Sequence, residues 1–261
     1  MFDFHMHTQV SFDGRDTARN MVQAAQNAGL KAICFTDHMD CDPANEVQTM
    51  CFDLDAYIKE YDLPNYLGLE ICRGVEFGLL PDNREKIRED IQKYPYDFAI
   101  GSLHFIDGID VYFQEYWEGK TYEYAIAHYL DEVLSCVKLH DDFDVLGHIT
   151  YLGKAGANPR KEPILLNAFR EVVDEIFKVL IAKGKGIEIN TSGKDKCGAY
   201  LPDADYLRRF KEFGGSIVTV GSDAHHANRV GQYCHDAVRL VQEIFGHVCT
   251  FRGRKPVFHT M

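Results

Sequence analysis

The sequence predicts an α/β fold of parallel strands and crossover helices, and three observations carry that expectation. Short apolar runs recur seven times, separated mostly by stretches of helical periodicity, which is the pattern of repeated βαβ units. The 261 residues suit a single domain of α/β-barrel size over residues 1–261. Side chains able to bind metal stand at or just beyond the C-terminal ends of the runs, the ends that a parallel barrel gathers on one face.

Taken in order, residues 2–5 read as a strand ending in His5-Met6-His7, and a loop over 8–16 leads to a helix over 17–27. Met21, Ala24, Ala25 and Ala28 form the apolar face of that helix, and Gly29 stops it. Residues 31–35 give a second strand capped by Thr36-Asp37-His38, then a polar, irregular loop and a helix over 52–61. The third strand covers 69–77 and ends in Gly74-Val75-Glu76-Phe77, and residues 83–93 form a charged surface helix. The fourth strand, 98–102, runs into Leu103-His104-Phe105, and a long helix covers 122–140. The fifth strand, 143–148, ends in His148; the longest helical pattern spans 162–183, with Pro163 tolerated in its first turn. A sixth strand over 186–190, a helix over 203–213, a seventh strand over 217–221 and a last helix over 230–245 complete the pattern.

Composition narrows the function classes. With 46% apolar residues the chain can bury a sizeable core. A net charge of −12 argues against a nucleic-acid partner, which normally meets a basic footprint. No run approaches roughly 18 apolar residues, so no membrane partner is expected. The N-terminus carries no secretory pattern and the eight cysteines form no CxxC pair, so reduced thiols and a cytoplasmic location are expected. No heptad or exposed apolar stripe speaks to an oligomeric state.

The candidate metal ligands are His5, His7, Asp13, His38, Glu76, His104, His148, Asp223 and His225. Singly, each has an ordinary alternative: a hydrogen-bonded core histidine, or an acidic turn former or helix cap. Six histidines at strand ends are different, because they would crowd one face without a partner. His128, His140, His226, His235, His247 and His259 fall mostly in helices or tails and are read as structural. One tetrahedral ion takes about four ligands, so nine would serve two or three ions sharing a bridging carboxylate. These ligand types suit zinc, iron and manganese.

His5-x-His7, Thr36-Asp37-His38, Gly74-Val75-Glu76, Gly101-Ser102-Leu103-His104, Gly147-His148 and Gly221-Ser222-Asp223-Ala224-His225 occur in that order. Together they make the chain resemble the PHP (polymerase and histidinol phosphatase) family from residue 5 to about residue 231. Asp97 to Gly108 and Asn190-Thr191-Ser192-Gly193 are most similar to its stand-alone histidinol-phosphatase branch. The resemblance implies a distorted (β/α)7 barrel with its site at the C-terminal strand ends, holding two to three divalent transition-metal ions (Zn, Fe or Mn).

By the same resemblance, His5, His7, Glu76 and Asp223 would hold the first ion, and Glu76 would bridge to a second, completed by His104 and His148. Asp13, His38 and His225 would hold a third, with Asp13 standing where several relatives carry histidine. Asp37 is read either as orienting a ligand imidazole or as a turn cap. Glu76, Asp223 and His225 are the implied catalytic residues. Where the branch commonly carries an arginine the chain reads Lys194-Asp195-Lys196, so Lys194 or Lys196 is expected at the substrate phosphate, with Arg160, Lys154 and Arg229 as further candidates. The implied partner is a small phosphate ester, and the implied reaction is phosphomonoester hydrolysis by a metal-bridged hydroxide. L-Histidinol phosphate, in histidine biosynthesis, is the first substrate expected. Another small ester, a nucleotide or a nucleic-acid end is the second reading; a non-catalytic, metal-stabilised module would show broken ligand motifs, and all nine positions keep a coordinating side chain.

Overall fold

The computed structural model of the chain describes residues 1–42 and 50–260. The irregular loop expected after His38 falls largely on residues 43–49, outside the described residues. The first half runs through β1 (Phe2–Asp3), α1 (Ala18–Asn27), β2 (Ala32–Phe35), β3 (His38–Asp40), β4 (Met50–Cys51), α2 (Leu54–Glu60), β5 (Glu70–Gly78), α3 (Arg84–Asp90) and β6 (Phe98–Ser102). There follow the hairpin β7 (Phe105–Ile106) and β8 (Ile109–Asp110), then α4 (Gln114–Trp117), α5 (Tyr122–Leu139) and β9 (Val145–Leu146). The remainder comprises α6 (Arg170–Ala182), β10 (Gly186–Asn190), α7 (Lys194–Cys197), α8 (Ala204–Glu212), β11 (Val218–Gly221), α9 (Cys234–Phe245) and the hairpin β12 (His247–Arg252) and β13 (Lys255–Thr260). Among the described residues no helix is long and apolar enough to cross a membrane.

Seven strands lie side by side in the order β1-β2-β5-β6-β9-β10-β11. Every neighbouring pair is parallel. Past the end of β1 the chain meets β11: the Phe4 N–H donates to Val220 O at 2.8 Å and the Asp223 N–H donates to His5 O at 2.7 Å. A parallel bridge between Met6 and Ala224 continues this contact, so the seven strands come close to closing. The expected (β/α)7 barrel is the one that forms.

Side chains alternate across a strand, and that alternation divides the barrel interior in two. Phe4, Ala32, Cys34, Cys72, Phe98, Ile100 and Val145 pack together toward the N-terminal ends, with Phe251 of β12 closing that end. Two or four residues further along the same faces the buried positions turn polar, at Glu76, Ser102, Glu188 and Asn190. The outward face packs Ile33, Phe35, Val75, Phe77, Ala99, Ile187 and Ile189 with the apolar faces of the helices. Three of the described helix starts are capped by side chains: Thr17 accepts from the Asn20 N–H at 3.2 Å, Asp53 from Ala56 at 2.9 Å and Thr121 from Tyr124 at 3.2 Å. Each such cap contributes about 1 kcal/mol.

Three expectations need correction. The helix expected over 162–183 begins only at Arg170. Glu162 precedes a proline, which disfavours helical backbone there, and Ile164 and Leu166 are buried while Leu165 is 68% exposed, the alternation of an extended segment. The helix expected from 230 begins at Cys234, because Gly231 and Tyr233 take left-handed φ values of 70° and 59°. The final residues form the hairpin β12–β13 rather than a tail. Finally, the cysteines that form no local pair in the sequence include one pair brought close by the fold: the antiparallel pairing of β3 with β4 sets the Cα atoms of Cys41 and Cys51 5.5 Å apart.

Candidate metal centre

All nine predicted ligands converge at the C-terminal mouth of the barrel. His5 and His7 flank Met6, whose bridge to Ala224 leaves both imidazoles on the inward face. The approach is close: a Cβ on Gly221 would stand 2.2 Å from the His5 Cβ and 2.4 Å from Glu188 Oε1, so only glycine fits there. Asp223 takes a left-handed φ of 56°, which Asp tolerates better than most residues.

Glu76 stands at the centre, fully buried at the end of β5. Its Oε2 lies 3.2 Å from His5 Nε2 and 3.5 Å from His7 Nε2. His5 Nε2 and His7 Nε2 are 3.1 Å apart, and Asp223 Oδ1 is 3.8 Å and 3.4 Å from them. Ligand atoms around a tetrahedral ion with bonds of about 2.0–2.1 Å sit about 3.3 Å apart. The contacts of the two imidazoles with each other and with both carboxylates have that spacing. The other oxygen of Glu76, Oε1, faces a second group, 2.9 Å from His148 Nε2 and 3.5 Å from His104 Nε2. Those two nitrogens are 3.4 Å apart.

A third group lies nearer the surface. His225 Nε2 is 2.8 Å and His38 Nε2 3.7 Å from Asp13 Oδ2. The rings of His38 and His225 each stack on His7 at 4.2 Å between centroids. Aspartate thus occupies the third corner without breaking the cluster.

Residues not singled out from the sequence hold the ligands in place. Glu188 Oε1 accepts from His5 Nδ1 at 2.6 Å, and its Oε2 accepts from the His148 N–H at 3.0 Å. Asp40 Oδ1 accepts from His104 Nδ1 at 2.7 Å and its Oδ2 lies 3.0 Å from His38 Nδ1. His225 Nδ1 donates to the Asp223 carbonyl at 2.9 Å. In each of His5, His104 and His225 the Nδ1 proton is engaged, so Nε2 presents its lone pair to the cluster. Ser102 Oγ donates to Glu76 Oε1 at 2.7 Å. Asp37 reaches no ligand imidazole. It accepts from the Thr8 N–H at 2.7 Å and from Ser11 Oγ at 2.8 Å, with Tyr61 also donating, and so pins the loop after His7. Asp37 thus caps the turn and meets His7 only through Ser11, whose Oγ lies 3.3 Å from His7 Nδ1.

The electrostatics suit a polycation. Burial alone would raise the Glu76 carboxyl, but His5, His38 and His104 outweigh it and hold the group well below its ordinary value. Burial likewise opposes ionisation of Asp223, and Lys154 and His5 reverse that effect. His7 is pushed down to about 3 by burial, with His225 and His38 adding to the shift, and stays neutral as a ligand must. The buried atoms Glu76 Oε2, Asp13 Oδ1, Asp40 Oδ2 and His148 Nδ1 have no hydrogen-bond partner. Converging lone pairs, ionised carboxylates and orphaned oxygens fit bound cations better than any hydrogen-bonded network available to them. The donor set fits two to three divalent transition-metal ions.

Above the cluster opens a cleft of about 880 Å³. Asp13, His38, His104, His148, Asp223 and His225 form its floor. Of the five predicted substrate contacts, Lys154, Lys196 and Arg229 line it. Arg160 and Lys194 do not: Arg160 lies over the Tyr122 ring at 4.0 Å and pairs with Glu123, and Lys194 sits 4.1 Å over Tyr200. Lys154 does reach the floor, where it donates to Ser192 Oγ at 3.0 Å and to Asp223.

The PHP domain family profile matches residues 3–192. A histidinol-phosphatase of Lactococcus lactis is 31% identical over 97% of this chain and 95% of its own length. A probable histidinol-phosphatase of Clostridium acetobutylicum is 29% identical over 99% of this chain and 96% of its own. The crystal structure of the Lactococcus lactis histidinol phosphate phosphatase with zinc, L-histidinol and phosphate superposes with a TM-score of 0.85, at 30% identity over 98% of each chain. Profile, full-length likeness and the ligand-bearing barrel agree, and the chain belongs to the PHP domain family.

Proposed function

We propose that the chain is a metal-dependent phosphomonoester hydrolase acting on L-histidinol phosphate, with residues 1–261 working as one catalytic unit. The observation that carries this reading is Glu76, a buried carboxylate whose two oxygens face two different sets of imidazole nitrogens. The substrate is supported by the Lactococcus lactis neighbour, which holds zinc, L-histidinol and phosphate on the same fold.

His5, His7, Glu76 and Asp223 would hold the first ion, Glu76, His104 and His148 the second, and Asp13, His38 and His225 the third. When bound, such ions supply a water activated near neutral pH and positive charge against the phosphoryl oxygens. Glu188 and Asp40 keep the ligand imidazoles aimed. Lys154, Lys196 and Arg229 add positively charged groups to the cleft lining, where they would draw the ester's phosphate over the floor. Lysine is a point charge without the bidentate fork of arginine, so Lys196 holds phosphate with less angular control. Water is consumed, the phosphorus–oxygen ester bond breaks, and L-histidinol and inorganic phosphate leave.

Phosphate release by the metal-loaded chain tests this directly. A panel of histidinol phosphate, nucleoside monophosphates, sugar phosphates and short oligonucleotides should show histidinol phosphate with the highest kcat/KM. A nucleotide or oligonucleotide ahead of it would overturn the substrate, and no release from any ester would overturn the activity.

A further inference from the structure

The cleft also carries a carboxylate that the ligand groups of its floor do not use. Directly after His104 the chain makes the hairpin β7–β8, closed by Asp107 and Gly108 at left-handed φ values of 52° and 74°. Its register sets Phe105 opposite Asp110, and the Val111 N–H returns to His104 O at 3.0 Å. The hairpin is therefore tied at both ends to a floor residue. Tyr112, Phe113 and Tyr151 extend the wall, with Tyr151 ring centroids 5.4 Å from His104 and 6.3 Å from Tyr112.

Five aspartates line the cleft: Asp13, Asp40, Asp110, Asp195 and Asp223. Asp13, Asp40 and Asp223 face the imidazoles of the floor, and Asp195 pairs with Arg229 at 2.6 Å. Asp110 differs from the other four. Its Oδ1 accepts from the Tyr112 N–H at 2.8 Å, and among the described residues no cation pairs with the carboxylate. A partly buried carboxylate lining a cleft that Tyr112, Phe113 and Tyr151 also line is placed to take a cation from outside the protein.

We propose that Asp110 is a specificity residue that accepts hydrogen bonds from the protonated amine of an amino-alcohol phosphate, while the faces of Tyr112 and Phe113 shelter the rest of the alcohol. This rests on the phosphomonoesterase reading. It adds that the enzyme selects the alcohol by its charge and not by the phosphate alone. Lys154 and Lys196 would then take the phosphate while Asp110 takes the ammonium.

The test compares metal-loaded wild type with Asp110→Asn on two matched pairs of esters. These are L-histidinol phosphate against its analogue lacking the amine, and phosphoethanolamine against ethyl phosphate. Wild type should prefer the amine-bearing ester in each pair. The substitution should cut that preference about 10- to 100-fold, mainly through KM, as expected for a charge-assisted hydrogen bond. A wild type that shows no amine preference in either pair overturns the proposal. So does an equal loss on both members of a pair, which would mark Asp110 as a support for His104 or a reader of the imidazole ring. Asp110→Glu, which keeps the charge, should retain the preference; a collapse there equal to that of Asp110→Asn overturns it as well. If wild type cleaves phosphoethanolamine but not histidinol phosphate, the substrate assignment fails while Asp110 remains under test on the second pair.

Discussion

The floor and the rim of the cleft are built by different rules. Most floor residues sit at or just past strand ends and are buried, and neighbouring strands or their ends set several of them: His5 by Asp223, Glu76 by Ser102, and both His5 and His148 by Glu188. Rim residues sit on connections, and their side chains choose among local partners, as Arg160 chooses Glu123 and Arg229 chooses Asp195. The floor thus fixes which chemistry is possible, and the rim decides which molecule receives it. Damage to the floor should abolish turnover, whereas damage to the rim should change selectivity.

The largest effect belongs to Glu76. Glu76→Gln keeps size and burial but removes the charge shared by two ligand groups, so turnover should fall below detection while the thermal transition stays cooperative. Near-normal activity would refute the bridging role. Glu188→Gln should come next. It leaves every proposed ligand in place but weakens the hold on His5 Nδ1, and should cost about 10- to 100-fold in metal affinity, read by chelator competition. An unchanged affinity would show that the barrel wall alone positions His5.

The smallest effects separate rim residues inside the cleft from those outside it. Lys196→Ala should raise KM for the phosphate ester a few-fold with kcat little changed. Arg160→Ala should leave both constants as they are, because its solvent-screened pair with Glu123 lies outside the cleft. If Arg160→Ala raised KM more than Lys196→Ala, the division of the rim into cleft-lining and outlying residues would be wrong.

The same contrast explains how much could be read from the sequence. Seven apolar runs and nine ligands at their ends were legible because strand direction and period-two alternation leave little freedom to the residues just past a strand. Glu188 was within reach of the same logic: a lone carboxylate inside Gly186-Ile187-Glu188-Ile189-Asn190 shares the inward face with Asn190. Only packing shows that its partner is His5, 183 residues away in the chain. Asp40 escaped for a related reason, since it bonds His104 through the contact of β3 with β5 and β6 rather than through any local spacing. Arg160, Lys194 and Lys196 look alike in sequence, and it is their place on the backbone, a loop for Arg160 and the single turn α7 for the lysines, that sends one into the cleft and two onto aromatic rings. The hairpin β12–β13 lacks the usual Asn-Gly turn signal; its reversal uses Gly253 and Arg254 at φ values of 53° and 62°.

Elemental analysis of the purified, metal-replete chain tests the central claim, that one buried carboxylate joins two ligand groups into a multinuclear floor. Two to three transition-metal ions per chain are predicted for the wild type, with a lower ratio for Glu76→Gln measured alongside. A wild-type content below two ions per chain, or an undiminished content in Glu76→Gln, would contradict it.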